Sequence, residues 1–230
     1  MQTGKKNVLV LASGGKKPTS GGSGFLEMAE YACAGVLDAN IVGVISNNSD
    51  GGVKAKAAAM GIHFKYWAGP FTAEGYQVLV NHFEAEYVMC SGWIWPVRGL
   101  MTRRTVNIHP GLPPFVGKGM WGHHVHEATM QAFHRGEIKT AGMMMHFVTD
   151  YDKEKINFED PYDTGPEICR MSILIRDDDT DATIGTRVNE IERVMQSRIF
   201  NLVVSGDIWL GPNEKTVQYS NRAQWVKDLR

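Results

Sequence analysis

The sequence predicts an α/β domain built on a parallel sheet, and three observations carry that prediction. Short β-branched apolar runs alternate with stretches of helical spacing through the first half of the chain. Each connection between runs is about one helix long, which is what a parallel crossover needs. The second half departs from this alternation, with two strand-like runs joined by a long polar loop and followed by a long amphipathic stretch.

Asn7–Ala12 (NVLVLA) is apolar and stops at Ser13-Gly14-Gly15, the pattern of a buried strand. Ala39–Ser46 (ANIVGVIS) repeats it and is closed by the turn-rich NNSDGG. Phe64–Trp67, Tyr87–Cys90 and Thr105–His109 are the next strand candidates, and Phe25–Gly35, Val53–Met60 and Thr72–His82 are helical stretches between them. Right-handed crossovers then place helices on both faces of the sheet. After residue 138, Thr140–Val148 and Ile168–Arg176 are strand-like. The stretch Thr180–Val204 repeats Ile184, Val188, Ile191, Met195, Ile199 and Leu202 on one helical face. DIWLGPNEKTVQYS reads as a hairpin turned at Gly211-Pro212-Asn213. The whole is a single-domain Rossmann-like parallel sheet with a mixed C-terminal half. Residues 1–109 form a nucleotide- or phosphate-binding half, 110–210 a second half, and 211–230 a C-terminal hairpin and tail.

A chain of 230 residues that is 43% hydrophobic and 21% charged can bury one full core. A formal net charge of −1 argues against wrapping nucleic acid by bulk electrostatics, but leaves room for a local anion pocket. Cys33, Cys90 and Cys169 lack CxxC spacing, which suits small core residues in a reducing compartment. The opening MQTGKK runs into an apolar stretch too short for a signal or a membrane span. A cytoplasmic protein without a membrane partner, monomer or homodimer, is the expectation.

Four stretches invite chemistry. SGGKKPTSGGSG places five glycines between Gly14 and Gly24 after the first strand. Freed backbone amides at a helix N-terminus can cradle a phosphate, and a merely flexible loop is the other reading. GKGMWGHHVH offers His123 and His126 at i,i+3, but no carboxylate or Cys completes a zinc shell, so a hydrogen-bonded helix start is favoured and no metal is expected. DYDKEKINFEDPYDTG is crowded with acids but lacks the spacing of a calcium loop. In TVNIHPGLPPF, Asn107 and His109 share one face of a strand, and Pro110 holds His109 extended. An amide and an imidazole aimed at one point can stabilise an oxyanion, although they could equally cap a turn.

The combination N-x-H-P-x-L-x-P, a helix, then HFV and a downstream D-x-G-x-x-I resembles the formyltransferase family that uses 10-formyltetrahydrofolate. The resemblance runs from Asn7 to about Leu210 and is strongest to the branch acting on glycinamide ribonucleotide (GAR). It implies Asn107, His109 and Asp163 as a catalytic set, with a protonated His109 and direct attack of the GAR amine on the formyl carbon. Asp150 and Asp152 are weaker stand-ins for Asp163. It implies that Gly22-Ser23-Gly24, where relatives have Gly-Ser-Asn, and Asn189 bind the substrate phosphate, while Glu192 of RVNEIE binds the amine. Lys16 or Lys17 could replace the lost asparagine contact. Folate is implied along Gly92, Trp93, Ile94, Trp95, Pro96 and Val97, with Trp95 in place of a usual arginine. Core packing of Ile94 and Trp95 is the plainer alternative. Residues 110–210 thereby become the catalytic and folate half. Gly111 and Pro113 stand where relatives have Ser and Leu.

The same set could serve another acceptor. No stretch provides the extra β-domain of methionyl-tRNA formyltransferase or the regulatory domain of formyltetrahydrofolate hydrolase. A sugar-nucleotide N-formyltransferase is the enzymatic alternative, and a silent nucleotide-binding module is the non-enzymatic one.

Overall fold

The structure, a computed structural model, describes residues 4–115, 120–149, 163 and 165–229. Five strands and three helices alternate first: β1 (Lys6–Leu11), α1 (Ser23–Cys33), β2 (Ala39–Ser46), α2 (Gly52–Met60), β3 (Phe64–Tyr66), α3 (Ala73–His82), β4 (Tyr87–Ser91) and β5 (Thr105–His109). Then come α4 (His123–His134), β6 (Thr140–Phe147), β7 (Glu167–Leu174), α5 (Asp181–Val204), β8 (Ile208–Leu210), β9 (Val217–Tyr219) and α6 (Gln224–Lys227). Every element expected from the sequence is present, with ends moved by a residue or two. The four-residue α6 was not anticipated, because so short a helix has no periodicity to read.

The main sheet runs β3-β2-β1-β4-β5-β6-β7. Strands β1 to β5 pair in parallel, while β6 lies antiparallel to both β5 and β7. The parallel first half and mixed second half are therefore as predicted. The β8–β9 hairpin forms a separate two-stranded ribbon.

Strand β1 shows why the sequence reads as continuous apolar runs. Val8 and Val10 enter one core with Phe25, Met28, Val53, Met130, Ile199 and Phe200, which belong to α1, α2, α4 and α5. Leu9 and Leu11 enter the other, with Tyr76 and Leu79 of α3 and with Trp93. Successive side chains on a strand point to opposite faces, so a strand covered on both sides has no polar positions to spare. Helix α5 starts on a capping box: Thr180 Oγ1 accepts from the Thr183 amide, and Thr183 Oγ1 accepts from the Thr180 amide. Among the described residues, no helix is long and apolar enough to cross a membrane.

The order of strands reverses beside β1, where one crossover leads to β2 and the later return leads to β4. Open α/β sheets hold ligands at the carboxyl ends of the strands flanking such a point. Helix α5 must pack firmly to wall that space, and Phe200 is its most buried aromatic anchor. Phe200→Ala should cost about 3–5 kcal/mol, read as a lower urea midpoint with an unchanged slope.

Candidate active site

A cavity of about 900 Å³ opens at the carboxyl ends of β1, β4 and β5. It is lined by Gly22, Ser23, Gly24, Asn189 and Glu192 on one side, and by Gly92, Trp93, Ile94, Trp95, Pro96 and Val97 on another. Asn107, His109 and Asp163 lie in the same cavity. The residues that the family resemblance singled out for catalysis, phosphate, amine and folate thus converge on one space. Lys16 and Lys17 do not line it and are exposed. Asp150 and Asp152 lie outside the described residues.

Asp163 is the centre of the polar arrangement. Asn107 Nδ2 donates to Asp163 Oδ1 at 2.8 Å. His109 Nδ1 lies 3.4 Å from Oδ2, and His146 Nε2 lies 3.3 Å from Oδ1. Burial works to raise the Asp163 pKa, but His146, His109 and Asn107 together outweigh it and hold the carboxyl below the usual range. The backbone at Asp163 is left-handed, with φ 63°. Asp tolerates this better than most residues, and here it turns the carboxylate inward. Two residues on, a Cβ at Gly165 would collide with the Phe147 carbonyl. Only glycine lets this segment lie against the end of β6, which gives the D-x-G pattern its physical reason.

His109 is 4% exposed, and its Nε2 lies 2.9 Å from the Phe115 carbonyl. That short contact fixes the Nε2–H tautomer. Burial outweighs Asp163 and the carbonyl and holds the imidazole below its ordinary pKa. Burial thus disfavours the charged imidazole expected from sequence, against the attraction of a carboxylate 3.4 Å away.

The opposite end of the cavity is built from backbone. Gly21 and Gly22 have φ of 73° and 74°, and Gly22 caps α1 without any side-chain hydrogen bond. The amides of the first helical turn are therefore left for an anion. Ser23 Oγ donates to Asn189 Oδ1 at 3.3 Å, and Asn189 Nδ2 donates to Glu192 Oε2 at 3.3 Å. Burial pushes the half-buried Glu192 up to about 7, with the Asn189 bond opposing it.

The strip after β4 divides into wall and scaffold. Trp93 is buried, and its Nε1 donates to Tyr76 Oη at 2.9 Å. Val97 is buried as well, whereas Ile94 and Trp95 are exposed at 44% and 41%. Trp95 stacks on Phe71 with ring centres 4.3 Å apart. The Ile94 amide donates to Ser13 Oγ, which ties the strip to the end of β1.

Residues 6–199 match the family model described as "Formyl transferase". The chain belongs to the formyl transferase family. It is 27% identical over 197 residues to the chloroplastic phosphoribosylglycinamide formyltransferase of Arabidopsis thaliana, covering 80% of this chain and 60% of that relative. The chain thus spans 60% of the length of the curated relative it matches. The solved glycinamide ribonucleotide transformylase 1 of Symbiobacterium toebii superposes with a TM-score of 0.76 at 24% identity, over 96% of each chain. A formyltetrahydrofolate deformylase from Pseudomonas syringae gives 0.73 at 20% identity, over 94% of this chain and 66% of that one. At such identities the two structures establish the shared fold.

In this formyl transferase the sequence reading gave no role to His146, although it lies within the HFV motif. Strand β6 pairs antiparallel with β5 so that His146 stands directly opposite Asn107, and their side chains meet at 3.1 Å. Register between strands is a tertiary property, so the only local signal was a histidine inside an otherwise apolar MMMHFV run. The histidines of α4 also pair differently than their spacing suggested. His124 Nδ1 and His123 Nε2 lie 3.2 and 3.6 Å from the Glu127 carboxylate. His126 packs against Gly185 of α5 instead. Among the described residues, His123, His124 and Glu127 are the one group whose ligand atoms come close enough to share an ion.

Asp163 raises the pKa of His109 against the effect of burial. Asp163→Asn should therefore push the His109 pKa further below about 6.5, followed by NMR titration of the imidazole. A value that rose would contradict the assigned contact.

Proposed function

We propose that this formyl transferase moves the formyl group of 10-formyltetrahydrofolate to the amine of GAR, a step of purine synthesis. The carrying observation is that one carboxylate, Asp163, holds Asn107, His109 and His146 at the junction of an amide-lined anion cradle and an apolar strip. The names of the Arabidopsis and Symbiobacterium relatives support GAR as acceptor. In this reading residues 1–109 bring the phosphate cradle, the folate strip and, at their end, Asn107 and His109. Residues 110–210 add Asp163, Asn189 and Glu192.

The folate supplies an activated formyl carbon, and residues of this chain do the rest. Glu192 and the Ser23–Asn189 pair hold the acceptor so that its amine faces that carbon. As the C–N bond forms, the carbonyl electrons move onto oxygen. Asn107 has two amide hydrogens, one committed to Asp163 and the other directed at His146. In this reading the second turns from His146 to the developing oxyanion. The proton released from the attacking nitrogen reaches His109 Nδ1, where Asp163 stabilises the cation. It is then delivered to the departing folate nitrogen as the intermediate collapses. Neutral at rest, His109 can accept that proton; charged from the start, it could not. Among the lining groups, Ser91 Oγ donates to Gln196, Ser23 Oγ donates to Asn189, and burial raises the Cys90 pKa. None of these is an activated nucleophile, so this reading has direct transfer without an acyl-enzyme.

The purified protein should release tetrahydrofolate from the formyl donor only when GAR is present, followed by absorbance. Turnover with water alone would mark a hydrolase, and turnover with an amino-sugar nucleotide would mark the other acceptor class. His109→Ala should lower kcat by about 10²–10⁴-fold while GAR binding persists. With Glu192 titrating at about 7, its charged form accumulates as pH rises, so KM for GAR should fall through that range. Glu192→Gln should flatten this dependence, and a retained slope would remove Glu192 from the amine site.

A further inference from the structure

Gln196 of α5 lines the cavity, yet every polar atom of its side chain is engaged elsewhere. Its Nε2 donates one hydrogen to the Gly24 carbonyl at 2.7 Å and the other to Glu27 Oε2 at 3.2 Å. Its Oε1 accepts from Ser91 Oγ at 3.0 Å. One side chain therefore joins the first turn of α1, the end of β4 and the middle of α5.

Glu27 is the unusual member of this set. It is 4% exposed on the inner face of α1, and Ser197 Oγ donates to the same oxygen that Gln196 uses. Its other oxygen, Oε1, is buried without a hydrogen-bond partner among the described residues. Burial raises its pKa. A leucine there would pack without a desolvation penalty, so core stability does not account for a carboxyl group. What it does provide is an acceptor that fixes the Gln196 amide.

The first turn of α1 needs such a fixture. Glycines at 21, 22 and 24 deprive it of side-chain packing, and its cap has no side-chain hydrogen bond. A Cβ on Gly24 would collide with Ser91 Oγ and come within 2.9 Å of Gln196 Nε2. Gly24, Ser91 and Gln196 thus interlock, and the Gly24 carbonyl is the handle by which α5 holds α1.

We propose that Gln196, itself held by Glu27, is a positioning residue that fixes the amide-lined turn of α1 and thereby sets affinity for the acceptor's phosphate. The inference rests on the acceptor reading given above. Gln196→Met keeps the length of the side chain and removes its hydrogen bonds. It should raise KM for GAR about tenfold with kcat within about twofold, and amide hydrogen exchange over residues 20–28 should become faster. Glu27→Gln keeps an acceptor oxygen and should stay within about threefold of the unaltered KM. Glu27→Leu should reproduce the rise, and it carries the comparison if Gln196→Met does not fold. Unchanged exchange in Gln196→Met, or a fall in kcat with KM unmoved, overturns the inference. Exchange needs no substrate, so it judges positioning even if the unaltered protein fails to use GAR, a result that would sink the acceptor reading instead.

Discussion

A carboxylate drawn largely out of water must be compensated, and the compensation of Asp163 organises the cavity. Its side chain is 23% exposed and meets an amide and two imidazoles. Those partners come from neighbouring strands, β5 and β6, so the sheet register itself is part of the electrostatics. The loop that carries Asp163 reaches them only because Gly165 allows close approach to β6. Remove any of these conditions and the carboxyl would either protonate or turn to solvent.

His109 marks where two demands conflict. Burial gives it a fixed geometry and a dry surrounding, which strengthens every local interaction. The same burial disfavours its charged form. The conflict resolves if charge is needed only transiently, when a proton arrives from the attacking amine and Asp163 is already in place to balance it. Burial holds the imidazole below its ordinary pKa while a carboxylate held in its charged form already faces it.

Much of the fold was legible because it follows local rules. Continuous apolar runs such as NVLVLA and ANIVGVIS name strands buried on both faces, and one-helix connections between them leave a parallel sheet as the economical answer. Asn107 and His109 were legible because alternation along a strand is local too. The contribution of His146 was not, since it depends on which strand pairs with β5 and in what register. Nor was the Glu27–Gln196–Ser91 set, whose members are far apart in sequence and meet only where α1 crosses α5 and β4. The burial of His109 was not legible for a related reason: sequence shows a neighbour's charge more readily than the depth of burial.

Of the departures that the family resemblance implies, the one at Trp95 falls where few constraints meet. Trp95 leans on Phe71 at the cavity rim and is 41% exposed, so an indole can stand where relatives carry a guanidinium without moving the sheet beneath. At Gly24 the lost side chain is matched by neighbours that fill the space a Cβ would need. By contrast, Asn107 and His109 answer to strand register, burial and the Asp163 carboxylate at once. A substitution at the rim alters how a ligand's periphery is held, whereas one at the centre would leave a buried charge unbalanced. That difference in penalty lets a chain differ at the contacts proposed to hold substrate ends while keeping the groups proposed to act on the formyl carbon.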